Sequence, residues 1–204
     1  MKQIIHIHWG NCFPNVETFY EYLEQKEYNP LEEKKSRYDW IKKKVSPQYQ
    51  YFCPAMPNSK MANYPARKIW FEKLFPYLND EETILIGHSL WWTFLLKYLS
   101  ENIFPKNIHQ LHLVAPCLDE MDMPKYEDYL GDFSITPIYI SNIKQQTEQI
   151  FLYHSKDDST VPYSQTERLI QLLPSAKLFT FEERGHFKQE EFPELLDNIL
   201  KNMS

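Results

Sequence analysis

Three kinds of side chain in this sequence could together activate a hydroxyl group: Ser89, the acidic pair Asp157-Asp158, and His186. A serine hydroxyl is a poor nucleophile until an imidazole takes its proton. The imidazole in turn needs a carboxylate to fix its tautomer and to stabilise the imidazolium that forms. Such a trio does acyl transfer, with attack on a carbonyl, an acyl-serine, and release to water. Each member also has an ordinary structural explanation, since serine caps helices, aspartates make turns and Gly185-His186 can form a helix-entry turn. What distinguishes the two readings is whether the fold brings the three to one place.

The serine stands at a sharp change of pattern. Thr83-Ile84-Leu85-Ile86 is β-branched and apolar, ends on Gly87-His88-Ser89, and runs at once into the apolar stretch Leu90-Trp91-Trp92-Thr93-Phe94-Leu95-Leu96. This predicts a buried strand, a tight turn and a buried helix. A serine at such a junction is lifted above the C-terminal edge of a sheet beside the first N–H groups of the helix, the geometry of a nucleophile elbow. The usual pattern is G-x-S-x-G. Gly87 is present, but Trp91 occupies the second small position.

The rest of the chain alternates in the same way. Strands are expected at residues 3–8, 49–53, 110–115, 150–154 and 176–181, with helices at 16–23, around 38–41, at 66–74, 164–173 and 193–202. The expected fold class is therefore α/β: a three-layer α/β/α sandwich with a mostly parallel central sheet. Residues 1–204 read as one domain, and the acidic, aperiodic stretch 119–139 reads either as a lid-like loop or as an ordinary solvated crossover. Loops at the C-terminal ends of parallel strands converge on one rim. Three of them carry Ser89, Asp157-Asp158 and His186, in the chain order associated with the α/β-hydrolase arrangement.

Composition narrows the class. At 204 residues, with 43% hydrophobic and 16% aromatic content, the chain can bury a core without disulfides or a structural metal. A net charge of −6 with mixed signs excludes a nucleic-acid surface. The amino terminus lacks a signal-peptide pattern, and no apolar run approaches the ~20 residues of a membrane helix. Three widely spaced cysteines without a C-x-x-C pair suit a reduced cytoplasm and give no zinc pattern. His6 and His8 share one strand face but have no partner at metal-ligand spacing, while His109 and His112 read as packed or surface residues.

The motifs Ala55-Met56-Pro57-Asn58, Gly87-His88-Ser89-Leu90, Tyr153-His154-Ser155-Lys156-Asp157-Asp158, Val161-Pro162 and Glu183-Arg184-Gly185-His186-Phe187 resemble the small serine hydrolases of the YdeN and retinoblastoma-binding protein 9 type. The resemblance runs from Ile4 to about Leu200. It implies a minimal α/β-hydrolase fold, no cofactor, no metal, and cleavage of small-molecule esters or amides. It maps the catalytic acid onto Asp158, three residues before the valine of Val161-Pro162, and the base onto His186. The oxyanion hole would take the N–H of Leu90 and a second N–H from the loop after the first strand, with Trp9 favoured and Gly10 the alternative. The departure from the family pattern is Trp91-Trp92 in place of Gly-Gly. Either neighbours make room for the indoles and the chain is an active hydrolase, or the elbow is distorted and the protein is a weakened or inactive binder of a ligand or partner.

Overall fold

The computed structural model describes residues 1–7, 12–25, 37–57, 60–123, 130–135 and 140–201. Its centre is a six-stranded sheet of β1 (Lys2–Ile7), β2 (Tyr49–Phe52), β3 (Thr83–His88), β4 (Ile108–Val114), β5 (Thr147–Ser155) and β6 (Lys177–Phe181), in the order β2-β1-β3-β4-β5-β6. Every neighbouring pair is parallel. Parallel neighbours cannot be joined by a tight turn, so the connections must cross over the faces. They carry α1 (Val16–Gln25), α2 (Arg37–Val45), α3 (Tyr64–Glu72), α4 (Leu90–Glu101), α5 (Ser141–Gln146) and α6 (Ser164–Leu172), and α7 (Pro193–Lys201) follows β6.

Alternation along the strands divides the core in two. Leu85, Leu111, Leu113 and Leu152 pack in one cluster with Phe71 of α3, Leu95 of α4, Ile143 of α5 and Leu169 of α6. Ile84, Ile86, Phe151 and Tyr153 belong to a second cluster with Ile41 and Val45 of α2 and Leu195 and Ile199 of α7. Helix α4 is buried except at Lys97 and Glu101, as its all-round apolar sequence demands. Helix α3 begins where the Asn63 side chain accepts a hydrogen bond from the Ala66 N–H, with Pro65 in the first turn.

The expected α/β class and layering hold, and the sheet is parallel throughout its described strands. After β1 the chain moves to one side, to β2, and after β3 to the other, to β4. Between β1 and β3 the strand-end loops therefore diverge, which is where ligands bind in open parallel sheets. Ser89 stands at that point. Among the described residues, no helix is long and apolar enough to cross a membrane.

Candidate active site

Ser89 lies between β3 and α4 with φ 56° and ψ −136°. A non-glycine residue in this region costs of order 1–3 kcal/mol and persists only when its surroundings hold it. Here the Ser89 N–H donates to the Val114 carbonyl at 2.9 Å, and the Trp92 N–H donates to the Ser89 carbonyl at 3.1 Å. Gly87 explains how the turn closes. A Cβ on it would lie 2.7 Å from the Trp92 Cα and 2.8 Å from its Cβ, so only hydrogen lets the first turn of α4 rest on β3.

The tryptophans are housed by their neighbours, both fully buried. The Trp91 ring lies under the guanidinium of Arg67 on α3, whose Cζ is 3.8 Å from the ring centroid, and the same guanidinium lies 4.6 Å from the Phe133 ring in the 119–139 stretch. Arg67 is itself fully buried, donating to the Met61 carbonyl at 2.8 Å and to Cys12 Sγ at 3.3 Å. Burial pulls its pKa down from the usual arginine value.

His186 follows Gly185, whose φ of +50° suits glycine, and precedes Phe187 at φ 52°. Its Nε2 lies 2.9 Å from Ser89 Oγ, and its Nδ1 lies 2.8 Å from Asp158 Oδ2 and 3.1 Å from Oδ1. An ionised carboxylate only accepts, so the ring proton belongs on Nδ1 and Nε2 accepts from the serine hydroxyl. That distance is within reach for direct proton transfer. His88, the residue before the serine, reaches the backbone of the same loop, its Nε2–H donating to the His186 carbonyl at 3.1 Å.

The two aspartates have separate surroundings. Asp158 is buried, and its Oδ1 accepts from the N–H groups of Thr160 at 2.9 Å and Val161 at 3.0 Å. Burial pushes its pKa up, but donation from His154, from His186 and from the Val161 N–H outweighs that and holds the carboxyl well below the usual carboxylate range. Asp157 is exposed and makes no bond to the imidazole. Its Oδ1 accepts from the Ser155 hydroxyl and from the Gly185 N–H at 2.8 Å, while Ser155 Oγ accepts from the Arg184 N–H at 2.9 Å. Ser155 and Asp157 thus tie the end of β5 to the loop that carries His186.

The structure therefore brings Ser89, His186 and Asp158 within hydrogen-bond reach of one another. Leu90 opens α4, so its N–H is among the first four that lack an intrahelical acceptor. Trp9 and Gly10, the candidates for the second oxyanion donor, lie outside the described residues, as do His8 and Asn58. His6 meets the Tyr51 hydroxyl at 2.5 Å, and no metal-ligand cluster occurs among the described residues. Sequence reasoning gave no role to His88, His154 or Ser155. All three lie inside the family motifs, but the contact of His154 with Thr166 depends on the packing of α6, which no local pattern reveals.

A family model described as serine hydrolase matches residues 21–201. The serine hydrolase RBBP9 of Rattus norvegicus is 30% identical over 169 residues, covering 81% of this chain and 85% of that protein. The solved structure of the ydeN gene product from B. subtilis is similar with a TM-score of 0.74 at 19% identity, over 98% of each chain. An esterase (EaEST) from Exiguobacterium antarcticum is similar with a TM-score of 0.59 at 15% identity, over 98% of this chain and 91% of that one. The last two likenesses concern the fold.

Proposed function

Since the chain belongs to the serine hydrolase family, we propose that it cleaves small carboxylic esters, or amides, through an acyl-serine intermediate on Ser89. The observation that carries this is the continuous line from Ser89 Oγ through the His186 ring to Asp158, at 2.9 Å and 2.8 Å. In the first step Oγ attacks the substrate carbonyl as its proton passes to His186 Nε2. The tetrahedral oxyanion is met by the Leu90 N–H and, on the grounds of sequence position, by that of Trp9. Collapse expels the alcohol or amine, which takes the proton from Nε2. A water then gives its proton to the same nitrogen and attacks the acyl group, and Ser89 is regenerated with release of the acid. Asp158 stays ionised throughout and stabilises the imidazolium. No cofactor or metal enters the scheme, and the widely spaced, odd-numbered cysteines support a cytoplasmic location.

The chief support for a non-catalytic, ligand-binding protein would be an elbow spoiled by Trp91-Trp92. With both rings housed and the imidazole against the serine hydroxyl, that support falls away. The deciding experiment is labelling with a fluorophosphonate probe and turnover of a p-nitrophenyl ester. Wild-type protein should label on Ser89, and Ser89→Ala and His186→Ala should each lose roughly 10⁴- to 10⁶-fold in kcat, because such residues act as a unit. A folded Ser89→Ala protein with substantial turnover overturns the reading.

A further inference from the structure

Asp158 carries a second imidazole. His154, on β5, is fully buried. Its Nε2 lies 3.0 Å from the Val161 carbonyl oxygen and 3.4 Å from Asp158 Oδ2, and its Nδ1 lies 2.6 Å from Thr166 Oγ1 on α6. A carbonyl oxygen and an ionised carboxylate can only accept, so the ring proton sits on Nε2 and the Thr166 hydroxyl donates to Nδ1. That Nε2–H is bonded to the carbonyl, and the Asp158 carboxylate oxygen Oδ2 stands beside it at 3.4 Å. The same oxygen, Oδ2, is also the one nearer to His186 Nδ1, at 2.8 Å.

The two donors hold different parts of the acid. The backbone N–H groups of Thr160 and Val161 fix Oδ1 alone, so His154 and His186 are what orient Oδ2. The other titratable neighbours are few. The Tyr163 ring lies 5.4 Å from His154, with its hydroxyl turned to Thr180 Oγ1. The His88 ring lies tilted beside that of His186, with centroids 5.1 Å apart, and the carboxylate of Asp157 is exposed and bound to Ser155 and Gly185. His154 is thus the one side chain besides His186 whose ring N–H stands against Asp158 Oδ2 among the described residues.

We propose that His154 is a positioning residue for hydrolysis: its Nε2–H keeps Asp158 Oδ2 in line with His186 and draws off part of the carboxylate's charge. The inference rests on the reading of Ser89, His186 and Asp158 as the reacting line. Removing His154 would leave the carboxylate to the His186 ring alone, in both its charge and its alignment, so the pH dependence of turnover is where that loss should register.

The test is the pH profile of kcat/KM for a p-nitrophenyl ester in wild type, His154→Phe, His154→Gln and Ser89→Ala. His154→Phe keeps the ring volume and removes the donor. Its ascending limb should move up by about 0.5 to 1 pH unit, which on the acid side reads as a loss of about 3- to 10-fold carried by kcat, with KM unchanged because a fully buried ring meets no substrate. His154→Gln retains a terminal N–H and should return toward the wild-type profile. Wild-type midpoints in both folded variants, with Ser89→Ala inactive, overturn the role of His154; turnover by Ser89→Ala overturns the underlying reading instead. Should His154→Phe not fold, ring ¹⁵N signals of the wild type and of Asp158→Asn decide. A His154 Nε2–H resonance that moves in Asp158→Asn supports the proposal, and a proton on Nδ1, or an Nε2–H indifferent to that change, overturns it.

Discussion

Asp157 and Asp158 are adjacent in the chain yet meet opposite demands. Asp158 is dry, ionised and bonded to the His186 imidazole and two backbone N–H groups, with the His154 ring beside it; Asp157 is exposed and bonded to a loop. Asp158→Asn should therefore lower kcat of ester hydrolysis on the order of 10⁴-fold, because an amide no longer fixes the Nδ1–H tautomer. Asp157→Asn, which removes only one tie on the His186 loop, should stay within about tenfold of wild type. Exchange of these two outcomes would exchange the roles. Both carboxyls are held below their unfolded values, so their contribution to stability is full above the ordinary carboxylate pKa near 4 and is lost as pH falls below it. Spacing within a family motif pointed to Asp158 and to a loop position for Asp157. The hydrogen bond from the Gly185 N–H to Asp157 was not legible, since it joins residues 28 apart through the pairing of β5 with β6.

The β3–α4 junction concentrates the constraints that belong to elements. Gly87 was legible as the first small residue of the elbow, but its neighbour is the backbone of Trp92, a contact that appears only once helix and strand are packed. Gly87→Ala must push the first turn of α4 away from β3 and misdirect the Leu90 N–H. Loss of one oxyanion donor costs about 10²- to 10³-fold, and that fall in ester turnover is the expected result in a folded Gly87→Ala protein. Trp91 broke the sequence pattern because the residue that makes room for it, Arg67, lies on another helix. Trp91→Gly should destabilise the protein by about 3–5 kcal/mol in denaturant unfolding through the cavity it leaves, without raising turnover. A gain in turnover would mean that the indole distorts the elbow after all.

At the scale of the whole molecule the sheet could be read as mostly parallel from alternating strand and helix patterns, because parallel neighbours need helical crossovers of this length. The polar chain inside it could not. Asn198 of α7 donates to the Tyr153 hydroxyl at 3.0 Å, Tyr153 donates to His112 Nδ1 at 3.0 Å, and His112 Nε2–H donates to Gln110 Oε1 at 2.7 Å. Burial pulls the His112 pKa down to about 3 from its ordinary 6.5. Between these values the unfolded chain binds a proton that the folded one refuses, so stability should fall as pH drops below about 6.5, by on the order of 1 kcal/mol per unit, and level off near pH 3. Denaturant unfolding from pH 4 to 8 checks this: His112→Gln should flatten the slope even if it lowers stability at every pH. The three ties on the base loop, from His88 to the His186 carbonyl, from Gly185 to Asp157 and from Arg184 to Ser155, all grip backbone atoms of residues 184–186. Together they make a fixed gantry across the ends of three strands, from which the imidazole hangs by its single Cα–Cβ bond. On the proposed mechanism, a pendulum on such a mount would swing between serine oxygen and departing group while its pivot stays still, so proton delivery would cost a ring rotation and no movement of the chain.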